Sequence, residues 1–162
     1  MLVVADIDDD PSPPLPTDLL VSLSECRSSL ESLLERLPSF FANTNETRNC
    51  LPAALKVSEK MLGSIGGKIV IIQGSLPNVG DGSLTEREDP KLLGTPKESS
   101  LLQPSSNFYK AFTVACSQNQ IGVDVFLAGS KYSDVATLSI FFVFLRIRQF
   151  ISIYRRLHIL LP

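Results

Sequence analysis

Tryptophan is absent and histidine occurs once, at His158. Cysteine occurs only at Cys26, Cys50 and Cys116, with no CxxC pair among them. The chain therefore has no zinc donor set of the usual spacing, and an odd count without a disulfide framework fits a reducing compartment. With His158 near the C-terminus as the lone imidazole, a Ser/His or Cys/His catalytic device has no base to build on. Long apolar runs are also missing. The uncharged stretch ending at Leu145 is far short of the ~20 residues a membrane-spanning helix needs. At the other end, Leu2 to Ala5 stops at Asp6, too short for a signal-peptide apolar region and without a basic start. Asn45-Glu46-Thr47 matches the N-glycosylation acceptor pattern, but with no secretory signal the match is read as empty.

Acidic residues run out as well: none follows Asp134. Four of the 15 Lys and Arg residues (Arg146, Arg148, Arg155 and Arg156) lie beyond Ser139, against none of the 17 acids. The formal charge of −2 thus hides an acidic body and a basic tail. An acidic body argues against nucleic acid as a partner, because phosphate binding needs a concentrated basic face. The break at Ser139 divides the chain into residues 1–139, with strand and helix patterns in alternation, and an apolar, basic tail at 140–162. The apolar residues of the tail fall on too many sides for a clean amphipathic helix. With no matching polar pattern, the tail offers no replacement strands for a sheet. Phe141, Phe142 and Phe144 read as an exposed aggregation risk.

What is present reads as an α/β domain, with 44% hydrophobic and 20% charged residues. Leu2–Ala5 has the character of a buried strand, followed by acids and an extended segment with Pro11, Pro13, Pro14 and Pro16. Thr17 or Asp18 can cap a helix whose stripe is Leu19, Leu23, Cys26, Leu30, Leu33 and Leu37. That helix is expected to pack on a sheet and to stop at Pro38. A second helix is expected over Leu51–Leu62, with Asn49 as cap, Pro52 in its first turn and Gly63 as stop. Gly66-Gly67 makes a turn into Ile69–Ile72, a β-branched run expected to be a central strand covered on both faces. Residues 75–106 are rich in Gly, Pro, Ser and charge and read as a long irregular excursion. Helical spacing resumes at Phe108–Cys116, Val123–Leu127 is a second strand parallel to the first, and Ser133 or Asp134 caps a helix from Val135.

One catalytic pattern stands out. An apolar strand ending in Asp6-Ile-Asp8 is how haloacid-dehalogenase-type phosphatases begin. There one aspartate attacks phosphorus and the second handles the leaving-group proton, with magnesium neutralising charge. Against it, Asp10 stands where such motifs continue with Thr or Val, and polar residues commonly follow a strand. The acidic run is not a calcium loop, because Pro11 replaces the required glycine and Thr17 the closing glutamate. Gly63–Lys68 is not a phosphate loop, because its glycines precede a strand and Ile69 stands where Ser or Thr is needed.

Eight short stretches in register carry a family resemblance. They are Leu37–Asn43, Pro52–Leu55, Gly66–Val70, Gln73–Pro77, Arg87–Pro90, Asn107–Lys110, Val123–Phe126 and Tyr132–Leu138. Together with Met1–Asp9 they resemble the trunk domain of the cargo-selecting subunit of the COPII vesicle coat, the Sec twenty-four family. The resemblance covers residues 1–139. It implies a von Willebrand A-like α/β fold, a three-layer sandwich with a mainly parallel sheet, incomplete because the family's trunk begins earlier and continues differently after Leu138. It implies a non-catalytic adaptor in ER-to-Golgi transport, without cofactor or metal in this domain. The implied partners are the GTPase-activating subunit of the inner coat, cargo export signals and, indirectly, the small coat GTPase. The implied location is cytoplasmic and peripheral on the endoplasmic reticulum membrane and COPII vesicles. No cargo-contacting residue is assigned by the resemblance.

Overall fold

The computed structural model describes residues 19–128 and 132–141, and the backbone of 150–153. The chain divides into two units, Pro13–Thr47 and a larger one running from Arg48 onward. The expected first strand at Leu2–Ala5 lies outside the described residues.

In the smaller unit helix α1 spans Leu23–Phe40. It begins later than Thr17 or Asp18 would set it, with Ser22 in extended backbone at the cap position and its carbonyl accepting from Glu25 and Cys26. It also runs through Pro38. A proline near the end of a helix removes a single N–H from the ladder, and here the chain leaves the helix within three residues, with Phe41 N–H donating to the Pro38 carbonyl. The leucine stripe was expected to be packed, yet Leu23, Leu30, Leu33 and Leu37 are exposed.

The larger unit follows the sequence pattern closely. Helix α2 spans Leu51–Leu62, with Pro52 in its first turn and Gly63 at its C-cap. Asn49 prepares its start: its side-chain oxygen accepts from Leu51 N–H at 3.0 Å, while its side-chain nitrogen donates to Ser75 Oγ at 3.0 Å. The N-cap position itself is Cys50, one residue later than expected, and Asn49 ties the first helical N–H to the loop that follows the next strand. Gly66 sits at φ +70°, and a Cβ there would approach the Asn119 and Gln120 carbonyls at 3.3 Å. Only glycine fits this turn, which feeds strand β1 (Gly67–Gln73).

Strand β1 pairs in parallel with β2 (Ile121–Ala128), from Gly67 opposite Ile121 to Gln73 opposite Leu127. The two are joined by helix α3 (Asn107–Gln118), capped by Ser106, whose hydroxyl accepts from Phe108 N–H. The short α4 (Val135–Leu138) is capped by Asp134, and β3 (Phe150–Ile153) pairs in parallel with β2, giving the order β1-β2-β3. The excursion from Ser75 is irregular as expected, apart from 3₁₀ turns at Pro90–Leu92 and Glu98–Leu102.

The core lies on one face of the sheet. Ile69, Ile71, Val123, Val125 and Leu127 meet Leu55, Tyr109 and Phe112 from the helices. Ile140 and Phe141, the first residues past the Ser139 break, belong to it as well, with Phe141 fully buried. Its ring stands edge-on to Tyr109 at 6.0 Å and to Phe112 at 6.0 Å. Two expectations about the tail are therefore corrected. Phe141 is a core residue, not an exposed risk, and Phe150–Ile153 supplies a strand. The aromatic and β-branched residues that made the tail look foreign are those that suit a strand and a core. Phe142 and Phe144 lie outside the described residues.

Strand β1 is not covered on both faces. Among the described strands it lies at the end of the order, and Val70 and Ile72 are 55% and 76% exposed. Beside them Lys68 Nζ pairs with Asp124 Oδ2 at 2.6 Å, one polar element on an otherwise apolar face. An exposed apolar sheet face invites association with other chains, so the isolated chain is expected to aggregate. Replacing Val70 and Ile72 together by threonine keeps β-branching while removing apolar surface. Static light scattering should then show a several-fold larger monodisperse fraction, and an unchanged fraction would contradict this account of the exposed face.

Candidate functional site

Asp6, Asp8 and His158 lie outside the described residues, so the structure brings no phosphatase pair together. Among the described residues no three of His, Cys, Asp and Glu gather as a metal site. Cys116 is buried, and desolvation, reinforced by Glu59, pushes its thiol up to about 11, which leaves it neutral and inert as a nucleophile near pH 7.

The polar centre of the molecule is a clasp between the irregular excursion and the loop after β2. Arg87 donates in a fork to Asp134, Nη2 to Oδ1 at 2.8 Å and Nε to Oδ2 at 3.0 Å. Its remaining Nη1 donates to the Ser100 carbonyl at 3.2 Å. Asp134 also caps α4, accepting from Thr137 N–H at 3.0 Å and from the Thr137 hydroxyl at 2.7 Å. Ser105 closes the cluster: its hydroxyl donates to Asp134 Oδ2 at 3.1 Å and its N–H to Thr137 Oγ1 at 2.9 Å. The Asp134 side chain is 1% exposed and that of Arg87 21%. Burial alone would push the Asp134 carboxyl up, but hydrogen bonds from Arg87 and Thr137 outweigh it and hold the group below its ordinary value. The bond to Asp134 raises Arg87 in turn, and burial followed by the nearby Asp134 charge raises Tyr132. Among the described residues no buried side-chain polar atom lacks a partner.

A second tie holds the start of the excursion. Tyr109 Oη donates to the Gly82 carbonyl at 3.0 Å. Gly82 sits at φ +91°, and a Cβ there would run into the Phe108 ring at 2.7 Å. The loop can lie this close to α3 only because glycine occupies that position.

Between the second half of the excursion and the residues that follow β2 runs a groove of about 620 Å³. Arg87, Glu88, Asp89, Leu93, Glu98, Leu101 and Leu102 form one wall, and Tyr132 to Ala136 with Ser139 form the other. It lies beyond the C-terminal end of β2, where open parallel sheets commonly place ligand sites. The clasp is the hinge pin of this groove, fixing one wall against the other. Sequence reading offered Ser133 or Asp134 as a cap, of which the structure uses Asp134, and placed Arg87 in a family-like motif. It did not join them, because they are 47 residues apart and neither carries a local signal for the other.

The residues assembled here offer hydrogen-bonded rigidity and a binding concavity. The Sec23/Sec24 trunk domain family model matches residues 1–143. The protein transport protein sec24 of Neurospora crassa is 54% identical over 139 residues, which cover 86% of this chain and 14% of that protein. The SEC24 protein of Chaetomium globosum is 52% identical over the same share of this chain and 15% of its own length. The crystal structure of the human COPII-coat protein Sec24c aligns with a TM-score of 0.79 at 35% identity, over 87% of this chain and 19% of that one. The chain thus spans about one seventh of the curated relatives it matches. The incomplete, von Willebrand A-like α/β fold is the one expected, and nothing in these matches supports the phosphatase alternative on Asp6 and Asp8.

Proposed function

The chain belongs to the Sec23/Sec24 trunk domain family, and on that premise we propose that it supplies the trunk of a cargo-selecting COPII coat subunit in ER-to-Golgi transport. The observation that carries this reading is identity above one half to proteins named for that transport role, sustained over 139 residues. The chain works by binding and not by catalysis. Supporting this reading, the buried Arg87–Asp134 pair is committed to holding a loop in place. The partner is the GTPase-activating subunit of the inner coat, with export signals as cargo and the small coat GTPase engaged indirectly. The site of action is the cytoplasmic side of the endoplasmic reticulum membrane, as a peripheral protein. Among the described residues no helix is long and apolar enough to cross a membrane.

The test is a chimera. The matching segment of the Neurospora crassa relative is replaced by residues 1–139 of this chain, and the product is mixed with the GTPase-activating coat subunit. The chimera should co-elute with that subunit as a stable heterodimer. A soluble, folded chimera that elutes alone would refute the reading.

A further inference from the structure

The groove beside the clasp has a chemical character of its own. Its aliphatic lining is open to solvent: Leu93 is 61% exposed, Leu102 74% and Val135 44%. Exposed leucines gathered along a concavity are an unfilled binding surface, because solvated apolar area is released when a matching side chain enters. Three carboxylates line the same groove, on Glu88, Asp89 and Glu98. Among the described lining residues the one cation is Arg87, and its guanidinium is committed in a fork to Asp134 and to the Ser100 carbonyl. Among its described lining residues the groove thus carries more negative than positive charge around an aliphatic floor, and concave walls concentrate such a field.

We infer that this groove is a docking site for an extended peptide segment of another protein that presents leucine-like side chains flanked by lysine or arginine. The aliphatic side chains fill the space between Leu93, Leu102 and Val135, and the basic side chains reach Glu88, Asp89 and Glu98. The walls are fixed before binding by the clasp, so little ordering cost is added on the receptor side. Charge decides against other occupants. Two copies of this chain meeting groove to groove would set the same carboxylates against each other in a twofold contact. Nucleic acid and anionic lipid would meet carboxylates in place of cations. The inference goes beyond the coat reading, and its test needs no coat partner, so the two can fail separately.

The experiment is fluorescence anisotropy on the full chain with a short labelled peptide carrying two leucines between a lysine and an arginine. A matched peptide with glutamates in place of both cations is the control. The basic peptide should bind saturably, and the acidic one about tenfold or more weakly. Glu88→Gln with Glu98→Gln should weaken the basic peptide about tenfold and flatten its salt dependence, since rim charges act through long-range attraction. Glutamine at 98 can still accept the Gly94 N–H bond that Glu98 holds at 2.8 Å, and unchanged circular dichroism checks the fold. Leu102→Ser should weaken binding about tenfold with the salt dependence retained. Equal binding of the two peptides, no binding of either, or full affinity in the Gln pair would overturn the proposal. So would self-association of the chain that Leu102→Ser abolishes, because the groove would then be a contact between copies.

Discussion

Replacing Arg87 by alanine should cost about 3–5 kcal/mol of folding stability at pH 7, the usual result of removing one partner from a buried ion pair. The cost comes less from the lost bonds than from the carboxylate left behind. Asp134 is almost wholly buried and would keep only neutral donors, from Thr137 and Ser105. The pH dependence identifies the cause. In the native chain the Asp134 carboxyl lies below its ordinary 3.8, so its contribution is complete above that value and is lost as pH falls through the lower folded value. Without the guanidinium, burial dominates and the folded carboxyl rises above its unfolded value. The variant then gains stability as pH falls through that raised value, so its deficit against the native chain should begin to shrink above pH 3.8 and go on shrinking as the native Asp134 protonates below it. Urea unfolding followed by circular dichroism at neutral and acid pH measures both. A deficit under about 1 kcal/mol, or one independent of pH, would mean the clasp is not a coupled charge pair. Arg87→Lys should fall between, because an ammonium keeps the charge but loses the fork.

Phe141→Ala should cost about 3–5 kcal/mol, as full truncation of a buried aromatic does. The ring has no solvent exposure and stands edge-on to both Tyr109 and Phe112, so the void would open at the centre of the core. Ending the chain at Ser139 removes this ring together with the buried Ile140 and should be at least as damaging. An unfolding midpoint unchanged by that truncation would show that the core closes without the residues beyond the compositional break.

How much of this was readable depends on how local each signal is. Helix α2 and the two parallel strands were legible because each carries its own punctuation: Asn49, Pro52 and Gly63 around the helix, and Gly66-Gly67 before Ile69–Ile72. Asp134 was legible as a cap for the same reason. The start of α1 was misplaced because Thr17, Asp18 and Ser22 are all fit to cap, and only the backbone chooses among them. The exposed face of β1 was misread because a continuous β-branched run has the same composition whether one face or two are covered. The clasp was invisible because it is tertiary, formed only when the excursion folds back on the loop after β2. The burial of Phe141 and the strand at Phe150–Ile153 were not legible because an apolar run without a clean period looks the same whether it is exposed or packed.

The proposal that this chain is a working piece of a cargo-selecting coat subunit is tested most directly in cells. A Neurospora crassa strain depends on a chimeric Sec24 whose matching segment is replaced by residues 1–139, and the rate at which a secreted reporter leaves the endoplasmic reticulum is measured. The account predicts export close to that of the unmodified protein, and a marked fall when the chimera carries Arg87→Ala. Export arrested by a chimera that accumulates to normal levels, folded and soluble, would contradict it.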